Sequence, residues 1–280
     1  MVDYAGSGPN MRTATPPTAP SGTVAGALRM WDYWLTVLAR TWKGGVITTF
    51  VTPFFYVLAL GVLLGGFVQA DPATLEGADS YLAFVAPGMV AAHAMTIAFS
   101  EMTYPVYGMV KWQRIYFSMI ASPLTAAHIV LAQLGFLMLR TLFACGVFLL
   151  VLAPFGVFES WWGALVAWLV QGLVVLAFGT PVLLFSLSIK GEESFALIFR
   201  LGMIPLTLFS GTFFPVANLG PVLEKVAMAS PLWQGVDLTR MLALGEIDWL
   251  AAAVHVVYLG LLAGVCWWLA VRRLGERLVS

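Results

Sequence analysis

Charged side chains are scarce. Asp, Glu, Lys and Arg make up 10 % of the 280 residues, against about 25 % in an ordinary soluble domain. Such a chain cannot cover a water-facing surface. Cysteine is almost absent: Cys145 and Cys266 each sit inside an apolar block without a CxxC neighbour, which argues against a disulfide framework or a thiolate metal site. Net charge is missing as well. The 14 basic and 14 acidic residues cancel, and no basic run offers nucleic acid an electrostatic footprint.

The signatures of chemistry are also lacking. The dipeptide Gly-Lys does not occur, so there is no GxxxxGK[ST] loop to cradle phosphates, and neither HExxH nor GxSxG is present. His93, His128 and His255 lie far apart in the sequence and read as hydrogen-bonded packing residues. The chain is therefore expected to be no enzyme, to bind no cofactor or metal, and to draw any energy from a partner or an ion gradient. Residues 1–23 lack an apolar signal core and hold Pro16, Pro17 and Pro20; they read as a disordered cytoplasmic tail without a cleavable signal.

What the chain has is apolar length: 60 % of its residues are hydrophobic, and they come in long blocks. In hydrocarbon every backbone polar group needs a partner inside the protein. With no run of short alternating strands for a barrel, helices remain. The expected class is all-α integral membrane, with six spans at about 46–68, 81–104, 125–152, 161–189, 194–215 and 250–271 within a transmembrane domain of residues 44–280. The fifth is interrupted by Pro205, Gly211 and Pro215. Before the spans, residues 24–43 alternate an apolar face (Leu28, Trp31, Leu35) with a polar one (Arg29, Asp32, Arg40), the pattern of an amphipathic helix lying in the membrane interface. Residues 216–249 are only moderately apolar and read as short helices at or dipping into one face.

Lys and Arg orient the chain. With the N-terminus inside, ten of them fall in cytoplasmic segments and only Lys225 and Arg240 outside, so both termini are expected in the cytoplasm. Glu101, Arg140 and Arg200 fall within the drawn spans, and a charge at the bilayer centre costs about 2.5–3.5 kcal/mol on insertion scales. Arg200 can snorkel, and Glu101 is placed near the cytoplasmic face. Arg140 lies near the middle, where it either contacts an anionic substrate group or partners a buried carboxylate or helix carbonyls. Between spans two and three, Lys111, Arg114 and Ser118 share one helical face, whereas Trp112, Ile115, Tyr116 and Met119 share the other. This is a short cytoplasmic amphipathic helix, either a handle for a soluble partner or a mere connection.

Four stretches carry a resemblance: TPFFYVLALGVLLGG (52–66), YLAFVAPGMVAAHAM (81–95), WQRIYFSMIASPLTAAHIVLAQL (112–134) and FSGTFFPVANLGPVLEKVAMASPLWQGVDLTRML (209–242). In these the chain resembles the membrane permease of ABC exporters of the type-2 family. Within that family it is similar to NodJ-like permeases, named for lipooligosaccharide export, and more distantly to daunorubicin-resistance-type permeases. The resemblance implies a plasma-membrane exporter subunit in a bacterium, moving a glycolipid, lipooligosaccharide or drug. It implies an N-terminal elbow helix, a second permease subunit, and two copies of a separate ABC ATPase that carry ATP and Mg. It makes Lys111, Trp112, Arg114, Tyr116 and Met119 a coupling helix. The segment holding Gly211, Phe213, Pro215 and Asn218 becomes a motif before extracellular re-entrant helices, with residues 205–215 near the dimer interface. Gln133 stands where the family pattern carries an acid. Without the resemblance, a secondary transporter or channel not powered by ATP stays open.

Overall fold

The computed structural model describes residues 75–120 and 124–279, with isolated positions before them. The expected tail at 1–23, elbow helix at 24–43 and first span at 46–68 lie outside the described residues. Those described are almost wholly helical, without a strand.

Helix α1 (Tyr81–Met102) starts at Ser80, whose hydroxyl oxygen accepts the Ala83 amide at 3.1 Å. It breaks at Thr103, and α2 (Tyr104–Lys111) resumes in the same direction with Pro105 in its first turn, where a missing N–H costs nothing. After α3 (Ile115–Ile120), α4 (Ala126–Leu152) opens with a reciprocal cap between Thr125 and His128. Helix α5 (Trp161–Ser188) is capped by Ser160. Helix α6 (Ser194–Phe209) is followed by α7 (Pro221–Met228), α8 (Pro231–Leu244) and α9 (Trp249–Val279).

Four stretches are long and apolar enough to cross a membrane: Tyr81–Lys111, Ala126–Phe155, Trp161–Ser188 and Trp249–Leu278. They coincide with four of the drawn spans. The fifth differs: α6 stops at Phe209 instead of running to 215. Its 16 residues would reach about 24 Å, short of a core of about 30 Å. Pro205 explains part of this. It has no N–H for the carbonyl one turn back, and the turns before it, Ile198–Met203, widen to π-helical pairing. Gly211 then turns the chain at φ +74°, a left-handed value that glycine adopts without a Cβ clash.

The core lies where α1, α5 and α8 meet, with α4 along one side. Small residues permit the closest approaches. A Cβ on Gly163 of α5 would stand 2.1 Å from the Leu242 carbonyl oxygen of α8. Two polar side chains inside the bundle link helices: Gln171 of α5 donates to Thr239 of α8 at 3.0 Å, and Ser186 of α5 donates to the Met102 carbonyl at 2.6 Å. By contrast α9 keeps one flank outward, with only 17 % of its most apolar stretch buried.

Candidate functional site

The segment between the second and third drawn spans is not the single amphipathic helix its spacing suggests. The Gly108 carbonyl accepts both the Trp112 and Gln113 amides, which closes α2. Arg114 then takes a left-handed φ of +51°, unusual for a side-chain-bearing residue, and α3 starts in a new direction. This turn rotates the register. Tyr116, expected on the partner-facing surface, is 1 % exposed in the core, and Met119 is half-buried against it. Lys111, Trp112, Gln113 and Arg114 form the exposed tip. The Trp112 ring is 59 % exposed and meets Tyr107 edge-on at 5.6 Å.

Two helix ends brace this tip. The Lys190 carbonyl, beyond the C-terminus of α5, accepts from the Tyr107 hydroxyl at 3.1 Å and from the Lys111 ammonium at 3.0 Å. Arg277 of α9 donates to the Ile189 carbonyl at 2.9 Å. Cations here satisfy carbonyls that a helix end leaves open. Lys111 thus braces the turn, and the Trp112 and Arg114 side chains stay exposed.

Deeper in the bundle, Arg140 and Glu101 form one ion pair at 2.7 Å. The sequence placed them at different depths, and their contact fixes a common one. Helix α2 continues ten residues past Glu101, about 15 Å, and α4 runs 14 residues before Arg140, about 21 Å. The pair therefore lies at the middle of α4 and ten residues from the Lys111 end of α2. Of the two roles open to Arg140, the contact favours partnership with a carboxylate. Gln133, two turns before Arg140 on α4, is buried, its Oε1 without a partner among the described residues.

At the opposite end, sequence reasoning missed the principal residue. Arg240 of α8, an outside charge by the Lys and Arg count, is 3 % exposed. Its guanidinium donates to Glu76 at 2.5 Å, to the Gly211 carbonyl at 2.7 Å and to the Phe84 carbonyl at 3.3 Å, and lies 3.9 Å from the Phe84 ring centroid. One side chain thus ties the loop before α1, α1 itself and the turn after α6. Burial pulls its pKa down; Glu76 and then Asp237 oppose this. Around it, Gly211 and Pro215 are buried, Phe213 is half-buried with its carbonyl accepting the Tyr81 hydroxyl at 3.1 Å, and Asn218 is exposed. Beside α8, His255 of α9 contacts Gln234 Oε1 through Nδ1 and Asp237 through Nε2 at 3.0 Å, a packing role like the one expected of it.

Four helices long and apolar enough to cross a membrane define a multi-pass helical membrane protein. Residues 28–244 match the family described as ABC-2 type transporter, and the chain belongs to that family. It is thereby the membrane subunit of an ABC transporter, a family that works with an ABC ATPase. It is 29 % identical over 254 residues to nodulation protein J of Sinorhizobium fredii (strain NBRC 101917 / NGR234), covering 88 % of this chain and 94 % of that one. Nodulation protein J of Rhizobium leguminosarum bv. trifolii is 30 % identical over 220 residues, 76 % and 82 % of the two chains. The inner membrane transport permease YadH of Escherichia coli (strain K12) is 24 % identical over 245 residues, 85 % and 91 %. No solved structure matches.

Proposed function

We propose that the chain is the non-catalytic permease of an ATP-driven exporter in a bacterial inner membrane, with both termini cytoplasmic. It moves an amphiphilic or lipid-like substrate by alternating access. The observation that carries this is the Trp112–Arg114 tip, an exposed aromatic and an exposed cation on a turn braced by α5 and α9. A push on this turn reaches the bundle through packed helices instead of dissipating in a loose loop. Two copies of a separate ATPase, carrying ATP and Mg, would seat on two such tips. The excess of Lys and Arg on the tip side supports the orientation.

A second, identical permease subunit is placed on the outward face of α6, where Leu201, Ile204 and Leu208 are 74 %, 48 % and 45 % exposed. Phe213 is half-buried against the chain's own core, so Leu208→Cys is the better probe, in a background lacking Cys145 and Cys266. A disulfide-linked dimer in membranes supports this placement, and its absence in every nucleotide state opposes it.

The coupling assignment is tested by co-purification with an ABC ATPase. Arg114→Glu with Trp112→Ala should abolish the complex in a chain that still elutes as a single folded species. Retention of the complex at wild-type yield would move the ATPase contact elsewhere.

A further inference from the structure

Helix α9 carries a groove that none of the described residues fills. It is shallow and open on its outer side, and is lined by Gly260, Leu261, Gly264, Val265 and Trp268, all of α9. A Cβ added at Gly260 or Gly264 would meet nothing within 4 Å. These glycines therefore serve no close helix contact among the described residues, although each costs a helix interior about 1 kcal/mol relative to alanine. Leu261 and Val265 wall the groove at 63 % and 56 % exposure.

A second observation concerns its end. Trp268, the last lining residue, also carries the guanidinium of Arg272 over its ring at 3.8 Å from the centroid. Arg272 is exposed and has no ion pair among the described residues, whereas its neighbour Arg273 pairs with Glu276 at 3.1 Å. An apolar trough thus ends at a cation held in place by the trough's own aromatic wall. Tryptophan and arginine at the end of a span mark headgroup level. From Gly260 to Arg272 is twelve residues, about 18 Å, close to the ~15 Å of one leaflet of hydrocarbon.

We infer that this groove binds one anionic phospholipid. An acyl chain lies over Gly260 and Gly264, Trp268 supports the glycerol region, and Arg272 takes the phosphate. The shape alone would suit any apolar chain. The exposed cation, without an ion pair among the described residues, selects an anionic headgroup over a zwitterionic one, whose ammonium Arg272 would repel.

Native mass spectrometry of the full-length chain, with dioleoyl phosphatidylglycerol and dioleoyl phosphatidylcholine in equal amounts, tests this. The wild-type protein should retain phosphatidylglycerol at least tenfold over phosphatidylcholine. Arg272→Ala and Gly264→Leu should each reduce the preference to near unity, and Arg273→Ala should leave it intact. Leu261→Trp fills the same trough and replaces Gly264→Leu if that variant elutes as aggregate. The inference is overturned by an absence of preference in the wild type, by equal losses in Arg272→Ala and Arg273→Ala, or by full retention in the trough-filling variant. It is equally overturned by a disulfide joining Gly264→Cys to a cysteine within residues 46–68, because the chain itself would then occupy the groove.

Discussion

The Arg140 guanidinium of α4 meets the Glu101 carboxylate of α1 at 2.7 Å. Removing one partner leaves the other unpaired; the roughly 2.5–3.5 kcal/mol of insertion scales for a charge at the bilayer centre is an upper bound here, because Arg140 is 44 % and Glu101 23 % exposed. Glu101→Gln and Arg140→Leu should each lower the yield of folded protein and its melting temperature in detergent. The charge-swapped pair, Glu101→Arg with Arg140→Glu, should recover most of the loss, with a coupling of about 1–3 kcal/mol. Strictly additive single effects would show that the contact contributes nothing.

Arg240 holds three elements at once, through Glu76, Gly211 and Phe84. Arg240→Leu strands the Glu76 carboxylate and two carbonyls, and should destabilise the protein by about 3–5 kcal/mol, the range for breaking a buried pair. Glu76→Gln leaves both carbonyl acceptors in place and should cost clearly less. Thermal unfolding followed by tryptophan fluorescence reads the order, and a reversed order would contradict the central position given to Arg240.

The contact of α5 with α8 depends on Gly163, whose added Cβ would stand 2.1 Å from the Leu242 oxygen. Backbone must move to admit it, so Gly163→Ala should cost about 1–3 kcal/mol, as overpacking does. Gly275→Ala, on α9 with nothing within 4 Å of the new methyl, should be neutral or gain up to about 1 kcal/mol from helix propensity. Equal melting temperatures for the two variants would mean that α8 sits further from α5.

Arg114 separates charge from conformation. Its φ of +51° suits glycine better than arginine, so Arg114→Gly should preserve or raise the melting temperature while removing the cation. If the cation contacts the ATPase, the same variant should weaken the complex at least fivefold in a titration. Full binding by Arg114→Gly would leave Trp112 as the contact at this tip.

Much of this was legible in the sequence, for identifiable reasons. Long apolar blocks fix spans such as Ala126–Phe155 because nothing else satisfies their backbone in hydrocarbon. The span drawn from residue 125 and the packing role expected of His128 agree with the capping pair that Thr125 and His128 form. The interruptions at Pro205 and Gly211 were visible too, but not that they end α6 at Phe209. Tyr116 was misplaced because spacing assumes a straight helix, and no residue near Arg114 is of the type that usually signals a left-handed turn. Arg240 was out of reach of any local pattern. Its partner Glu76 is 164 residues away, and a lone arginine in a moderately apolar stretch looks like a surface charge.

The most direct test of the central claim is ATP turnover by the chain reconstituted in nanodiscs with its ABC ATPase, comparing wild type with Arg114→Glu. The expected result is a complex whose turnover falls at least tenfold on charge reversal, in a permease that remains folded. A chain that binds no ABC ATPase, yet moves an amphiphile in sealed vesicles without ATP, would contradict it.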